Sequence, residues 1–112
     1  MYNGMIAPLE QTRLAGMIWY QGESNTGRAD AYEDLLTTLL ADWRGQFGAE
    51  MPALIVQLAN FGSLADQPVA SGWARVRDAQ RRVAEADPLA GLVVTIDIGD
   101  RLDIHPPNKQ EV

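Results

Sequence analysis

A single imidazole, His105, and one compact polar block, Gln21-Gly22-Glu23-Ser24-Asn25, are the parts of this chain equipped for chemistry. The chain has one histidine, so any imidazole general base is His105. Such a base needs a carboxylate on its second ring nitrogen, to fix the tautomer and to stabilise the imidazolium. Three carboxylates compete for that place: Asp103, two residues before the histidine, Asp100, five before it, and Glu23 in the polar block. A nucleophile is harder to find. Ser24 sits where a strand turns into a helix, as in a nucleophile elbow. The elbow pattern G-x-S-x-G fails at its last position, where Thr26 stands. The plain structural alternative is a solvated loop histidine, with Glu23 and Asn25 merely capping a helix.

The elements around these residues decide between the two. Residues 14–20, with Met17, Ile18, Trp19 and Tyr20, read as a strand that is apolar on both faces. The helix that follows is predicted over 28–47, because Tyr32, Leu35, Leu36, Leu39, Leu40, Trp43 and Phe47 recur at helical spacing. Asn25 or Thr26 is its expected cap and Gly48 its expected stop. A second buried strand is predicted over 53–58, a loop rich in Gly, Pro and Ser over 60–72, a second helix over 73–86, and a third strand over 91–97. Residues 98–107 read as a polar loop and 107–112 as the first turn of a further helix. Residues 2–10 are weakly helical, limited by Pro8. Strand–helix–strand–helix–strand with crossovers of this length implies a parallel sheet with right-handed connections. The carboxyl ends of the strands then share one edge, where ligands bind in open α/β sheets. That edge carries the 21–25 block, Asn60 and the loop leading to His105.

Composition removes several functions. The formal net charge is −6 and the pI about 4.5, and the cationic residues are scattered apart from Arg81-Arg82, which suits a nucleic-acid binder poorly. With no cysteine there is no disulfide, thiolate metal site or cysteine nucleophile. One histidine among dispersed carboxylates does not make metal-ligand spacing, and no lysine follows Gly22 or Gly27 as a phosphate loop requires. No run approaches the roughly 18 apolar residues of a membrane span. The start, Tyr2-Asn3-Gly4, lacks the basic and apolar regions of a signal peptide.

Four separated motifs in order make the chain resemble the sialate O-acetylesterase family, a branch of the SGNH-type esterases. They are Tyr2-Asn3-Gly4-Met5-Ile6-Ala7-Pro8, Trp19-Tyr20-Gln21-Gly22-Glu23-Ser24-Asn25, Val56-Gln57-Leu58-Ala59-Asn60-Phe61, and Asp97-Ile98-Gly99-Asp100 continuing to Asp103-Ile104-His105-Pro106. The ending Asn108-Lys109-Gln110-Glu111-Val112 also fits. The resemblance implies a flavodoxin-like, three-layer α/β/α hydrolase with a parallel sheet, of which residues 1–112 form one partial domain. It implies removal of acetyl esters from sugar hydroxyls, such as those of sialic acids, by a serine and a histidine, with no metal or organic cofactor. His105 resembles the family's base. Gln21, Gly22 and Glu23 resemble the block that shapes the pocket, with Gln21 or the Gly22 backbone assisting the oxyanion and Glu23 bracing the histidine. Asn25 belongs to the same block. Members are often exported, which leaves the compartment of this chain open.

Two departures accompany the match. The family's nucleophile lies in a Gly-Gln-Ser-Asn block on an earlier strand, and no such block occurs here. The chain therefore resembles the later part of a catalytic domain, its partner being the missing N-terminal part that carries the first strand and the nucleophile. The wider superfamily also places Asp three residues before the histidine, where this chain has Leu102, so Asp103, Asp100 and Glu23 all remain open as the acid. Two other functions compete with the fragment: a complete small serine esterase built on Ser24, Asp103 and His105, and a non-catalytic sugar-binding piece using Trp19, Trp73 or Phe61.

Overall fold

The computed structural model describes residues 2–63, 65–105 and 110. Helix α1 (Tyr2–Met5) and a 3-10 turn (Ala7–Leu9) lead to strand β1 (Met17–Trp19). A 3-10 segment (Glu23–Ala31) runs into helix α2 (Tyr32–Phe47), followed by strand β2 (Ala53–Val56), helix α3 (Gly72–Ala86) and strand β3 (Ala90–Val93). The strands are parallel in the order β1-β2-β3, with Trp19 opposite Ile55 and Ile55 opposite Leu92. The α/β class and parallel sheet are those the sequence predicts, and the three carboxyl ends share one edge. The further helix expected over 107–112 lies outside the described residues, apart from Gln110.

Element boundaries differ from the sequence pattern for local reasons. Helix α2 begins at Tyr32 rather than at 28, because Glu23–Ala31 forms 3-10 turns kinked at Arg28 (φ −138°, ψ 45°). The Thr26 hydroxyl donates to the Glu23 carbonyl at 2.9 Å, a local bond that competes with α-helical pairing. Neither Asn25 nor Thr26 caps α2; the residue before it is Ala31, which makes no side-chain cap. Strand β3 stops at Val93 instead of 97. Two residues on, the buried Thr95 hydroxyl donates to the Gln57 carbonyl, and a turn follows. Helix α3 has a true cap, Ser71, whose hydroxyl oxygen accepts from the Ala74 N–H.

Residues at intervals of three and four supply the core: Tyr32, Leu36 and Leu40 from α2, Val76, Ala79 and Val83 from α3, and Met17, Ala53 and Ile55 from the sheet. Burial of each large aliphatic side chain contributes on the order of 1.5–3 kcal/mol of transfer free energy. Leu35, expected in the stripe, is 54% exposed, on the flank of α2. Both helices cover the same sheet face, as two right-handed crossovers in one direction require. On the opposite face Ile18 and Leu54 are register partners, and they are 71% and 47% exposed. The described residues thus form two of the three expected layers. Strand β1 is also hydrogen-bonded on its β2 side alone among the described residues.

One polar side chain lies at the centre of this core. Gln80 is fully buried. Its Oε1 accepts the Leu58 N–H at 3.0 Å, and its Nε2 donates to the Gln21 carbonyl at 3.1 Å and to the Tyr32 hydroxyl at 3.4 Å. The Tyr32 hydroxyl also donates to the Gln21 carbonyl, at 2.6 Å. One amide therefore ties α3 to the segments that leave β1 and β2. Gln80→Leu keeps the volume but orphans the buried Leu58 N–H, so a loss of about 1–3 kcal/mol is expected by urea denaturation. The open face and edge give a second expectation: the chain self-associates at micromolar concentration, and Ile18→Lys or Leu54→Lys reduces that association in sedimentation velocity.

Candidate active site

The polar block is a folded corner. Gly22 adopts φ +153°, and a Cβ there would lie 2.9 Å from Val76 Cγ1 and 3.3 Å from the Leu58 side chain. Only glycine lets the chain turn at this angle while pressed against α3 and the end of β2. The Asn25 N–H donates to the Gly22 carbonyl at 2.9 Å, and Gln21 Nε2 donates to Asn25 Oδ1 at 2.8 Å. Glu23 Oε2 accepts the Gly22 N–H at 2.9 Å.

The corner sends its side chains in two directions. Tyr20, Glu23 and Ser24 line a cleft of about 380 Å³ whose other wall is Ile104 and His105. Gln21 and Asn25 instead line a small cavity of about 70 Å³ with Trp19, Tyr32 and leucines of α2. The lone imidazole and the Glu23 carboxylate therefore look into one space, together with Ser24. Gln21 and Asn25 brace the corner from behind.

The wall bearing His105 is a loop held by its own carboxylates. Asp100 Oδ1 accepts the N–H groups of Leu102 at 2.7 Å and Asp103 at 3.3 Å. Asp103 Oδ1 accepts the His105 N–H at 2.8 Å and lies 3.8 Å from His105 Nδ1. That last distance is longer than a hydrogen bond, as is common for catalytic pairs without substrate. Of the three carboxylates the sequence left open, Asp103 is the one with a recorded approach to the imidazole, and Asp100 serves the turn. The His105 side chain is 88% exposed.

Two groups at the cleft escaped the sequence reading. Tyr20 was legible only as the end of an apolar strand, yet its ring lines the cleft. Its phenol is pushed up by burial and by the Glu23 charge, against a lowering hydrogen bond with Thr95, so it is a protonated hydroxyl at neutral pH. Ile104 adds an apolar flank. The tyrosine behind the corner, Tyr32, is raised chiefly by burial and also by Glu23, against lowering bonds from Trp19 and Gln80.

The aromatic residues considered for sugar stacking are mostly used inside the fold. Trp19 Nε1 donates to the Tyr32 hydroxyl at 3.3 Å, and Trp73 Nε1 to the Ala59 carbonyl at 2.7 Å. Phe61 packs on Trp73 with ring centroids 5.3 Å apart and is 41% exposed. A groove of about 310 Å³ between α2 and α3 holds the Arg44–Asp87 ion pair (2.5 Å) at the amino end of the strands. Burial raises the Asp87 carboxyl, but Arg44 and the Leu89 N–H outweigh it and hold it below its ordinary range. Among the described residues no group of three or more His, Asp or Glu side chains is arranged to hold a metal ion, and no helix is long and apolar enough to cross a membrane. Gly22→Ala places a methyl group against Val76 in a strained backbone, and a loss of about 1–3 kcal/mol in chemical denaturation is expected.

Comparison with known proteins places this geometry in context. The family model described as "Carbohydrate esterase, sialic acid-specific acetylesterase" matches residues 1–109. Sialate O-acetylesterase of Mus musculus is 32% identical over 128 residues, an alignment covering 100% of this chain and 24% of the mouse protein. The Homo sapiens sialate O-acetylesterase is 32% identical over 134 residues with the same shares. A crystal structure of a carbohydrate acetylesterase from Xanthomonas citri superposes with a TM-score of 0.88 at 42% identity, covering 98% of this chain and 26% of that one. The chain thus spans about a quarter of the length of the relatives it matches.

Proposed function

The chain belongs to the sialic acid-specific acetylesterase family of carbohydrate esterases, and on that premise we propose that it supplies the base-bearing side of an O-acetylesterase site acting on acetylated sugars. The nucleophilic serine then comes from an N-terminal part of the same domain that these 112 residues do not include. The cleft shared by His105 and Glu23 carries this reading.

In the proposed reaction His105 Nε2 takes the proton of the serine hydroxyl as its oxygen attacks the acetyl carbonyl. The imidazolium then protonates the departing sugar oxygen, and water, activated by the same base, releases acetate from the acyl-enzyme. Asp103 stands on the Nδ1 side and orients the ring. The Gly22 N–H is the oxyanion donor. It now holds a carboxylate oxygen of Glu23, and an N–H that holds a carboxylate can hold an oxyanion once that side chain turns away. Glu23 is then free to meet the imidazolium or a sugar hydroxyl. Gln21 and Asn25, locked to each other, keep the corner in shape.

A second reading has one observation in its favour: Ser24 lines the same cleft as His105. An elbow serine, however, relies on the N–H of the next residue for its oxyanion. Here the Asn25 N–H is taken by the Gly22 carbonyl.

Acetate release from an aryl acetate separates the two. The isolated chain is expected to show no activity above background. Fused behind the first-strand region of a related esterase, with its Gly-Gln-Ser-Asn block, it is expected to gain activity that His105→Ala lowers by at least ~10²-fold. Activity of the isolated chain that is abolished by Ser24→Ala would overturn the fragment reading and install Ser24 as nucleophile.

A further inference from the structure

Past Val93 the chain has no regular structure up to His105, and residues 99–105 are mostly exposed. Few bonds fix this stretch to the rest of the fold. Beyond Thr95, whose hydroxyl is on the Gln57 carbonyl, the recorded cross-links to another element are two. The Gly99 N–H donates to Asn60 Oδ1 at 2.8 Å, and the Gly62 N–H donates to the Arg101 carbonyl at 3.0 Å. Both come from the connection that leaves β2.

The approach at Gly99 is unusually close. A Cβ on Gly99 would lie 2.3 Å from the Asn60 carbonyl oxygen, 2.5 Å from Asn60 Oδ1 and 2.8 Å from Asn60 N. No side chain fits there, so the loop rides directly on the asparagine. Asn60 is itself seated by its neighbours. The Ala59 carbonyl accepts Trp73 Nε1, and the Leu58 N–H is held by Gln80. From Gly99 onward the chain is held by short local bonds: Asp100 to Leu102 and Asp103, then Asp103 to His105. An unbroken series of contacts thus runs from buried α3, through Asn60, to the imidazole.

From this geometry we infer that Asn60 is the positioning residue of the His105 loop, acting through its Oδ1 acceptor on the Gly99 N–H. It touches no substrate; it sets where the loop starts, and the carboxylate turns do the rest. The inference rests on the reading of His105 as base for its catalytic meaning, but the placement of the loop is tested without any activity. The role needs an oxygen one carbon from the backbone-bearing Cβ, which Asn and Asp supply and Ala does not.

The test uses the full 112-residue chain, wild type against Asn60→Ala and Asn60→Asp. Backbone exchange of residues 99–105 is read by hydrogen–deuterium mass spectrometry, and His105 by its rate of carbethoxylation, which is free of interference because it is the sole histidine. In Asn60→Ala the exchange of 99–105 is expected to rise about tenfold, the gain in opening when one such bond is lost. The carbethoxylation rate is expected to change at least about twofold, with exchange in α3 unaltered. Asn60→Asp is expected to restore both. Should Asn60→Ala fail to fold, Gly99→Ala displaces the loop by steric contact and is expected to give the same local signature. Wild-type exchange and carbethoxylation in the alanine variant, or faster exchange spread equally through α3, would overturn the inference. Failure of His105 as base shows separately, as fused enzyme in which His105→Ala leaves acetate release unchanged.

Discussion

The fold depends on how one buried amide is satisfied. Gln80 sits on the apolar stripe of α3 at zero exposure, where an unpaired amide would be costly. It finds partners at the two places where the chain leaves the sheet: the Leu58 N–H after β2 and the Gln21 carbonyl after β1. Neither group has a ladder partner, because both lie past the last paired residue of their strands. Apolar burial holds the helices on the sheet, but it is non-directional and sets no particular relation between two strand ends. The Gln80 and Tyr32 hydrogen bonds do, since they require both ends at fixed distances from one helix.

From that constraint the carboxyl edge follows. With the Gln21 carbonyl fixed, Gly22 turns against Val76, and the corner splits its side chains between a supporting cavity and an open cleft. With Leu58 fixed, Ala59 and Asn60 stand where α3 and the His105 loop both reach them. The site is therefore built from two loops with little regular structure, each tied to the same buried helix. The opposite sheet face, with Ile18 and Leu54 uncovered, shows the limit of what these residues stabilise alone.

Much of this was legible in the sequence. The parallel order followed from the alternation of apolar strands and periodic helices, and the shared edge followed from the order. His105 stood out because it is the only histidine. Less legible was anything set by single hydrogen bonds. The start of α2 moved by four residues because Thr26 bonds locally to Glu23, an option that periodicity does not see. The truncation of β3 depends on where the Thr95 hydroxyl reaches, a fact of tertiary contact. Gln21 and Asn25 read as members of one polar pocket with Glu23, yet a glycine turn at φ +153° sends them to the other side. Tyr20 looked like strand core because alternation in a strand assigns faces, not what lies beyond its last residue. The open sheet face was misjudged for a related reason: apolarity on both sides of a strand shows that each side needs cover, not that this chain contains it.

The account's central claim is that His105 and the corner after β1 face each other across one cleft. The chain has no cysteine, so engineered thiols have no background. The most direct measurement is bridging by a short bismaleimide in the double variant Ser24→Cys with His105→Cys, compared with Glu50→Cys with His105→Cys, which places one thiol just before β2 at the far end of the sheet. Rapid intramolecular bridging in the first pair and none in the second is the result expected. Equal bridging in both pairs, or none in the first, would separate the imidazole from the polar corner and contradict the site.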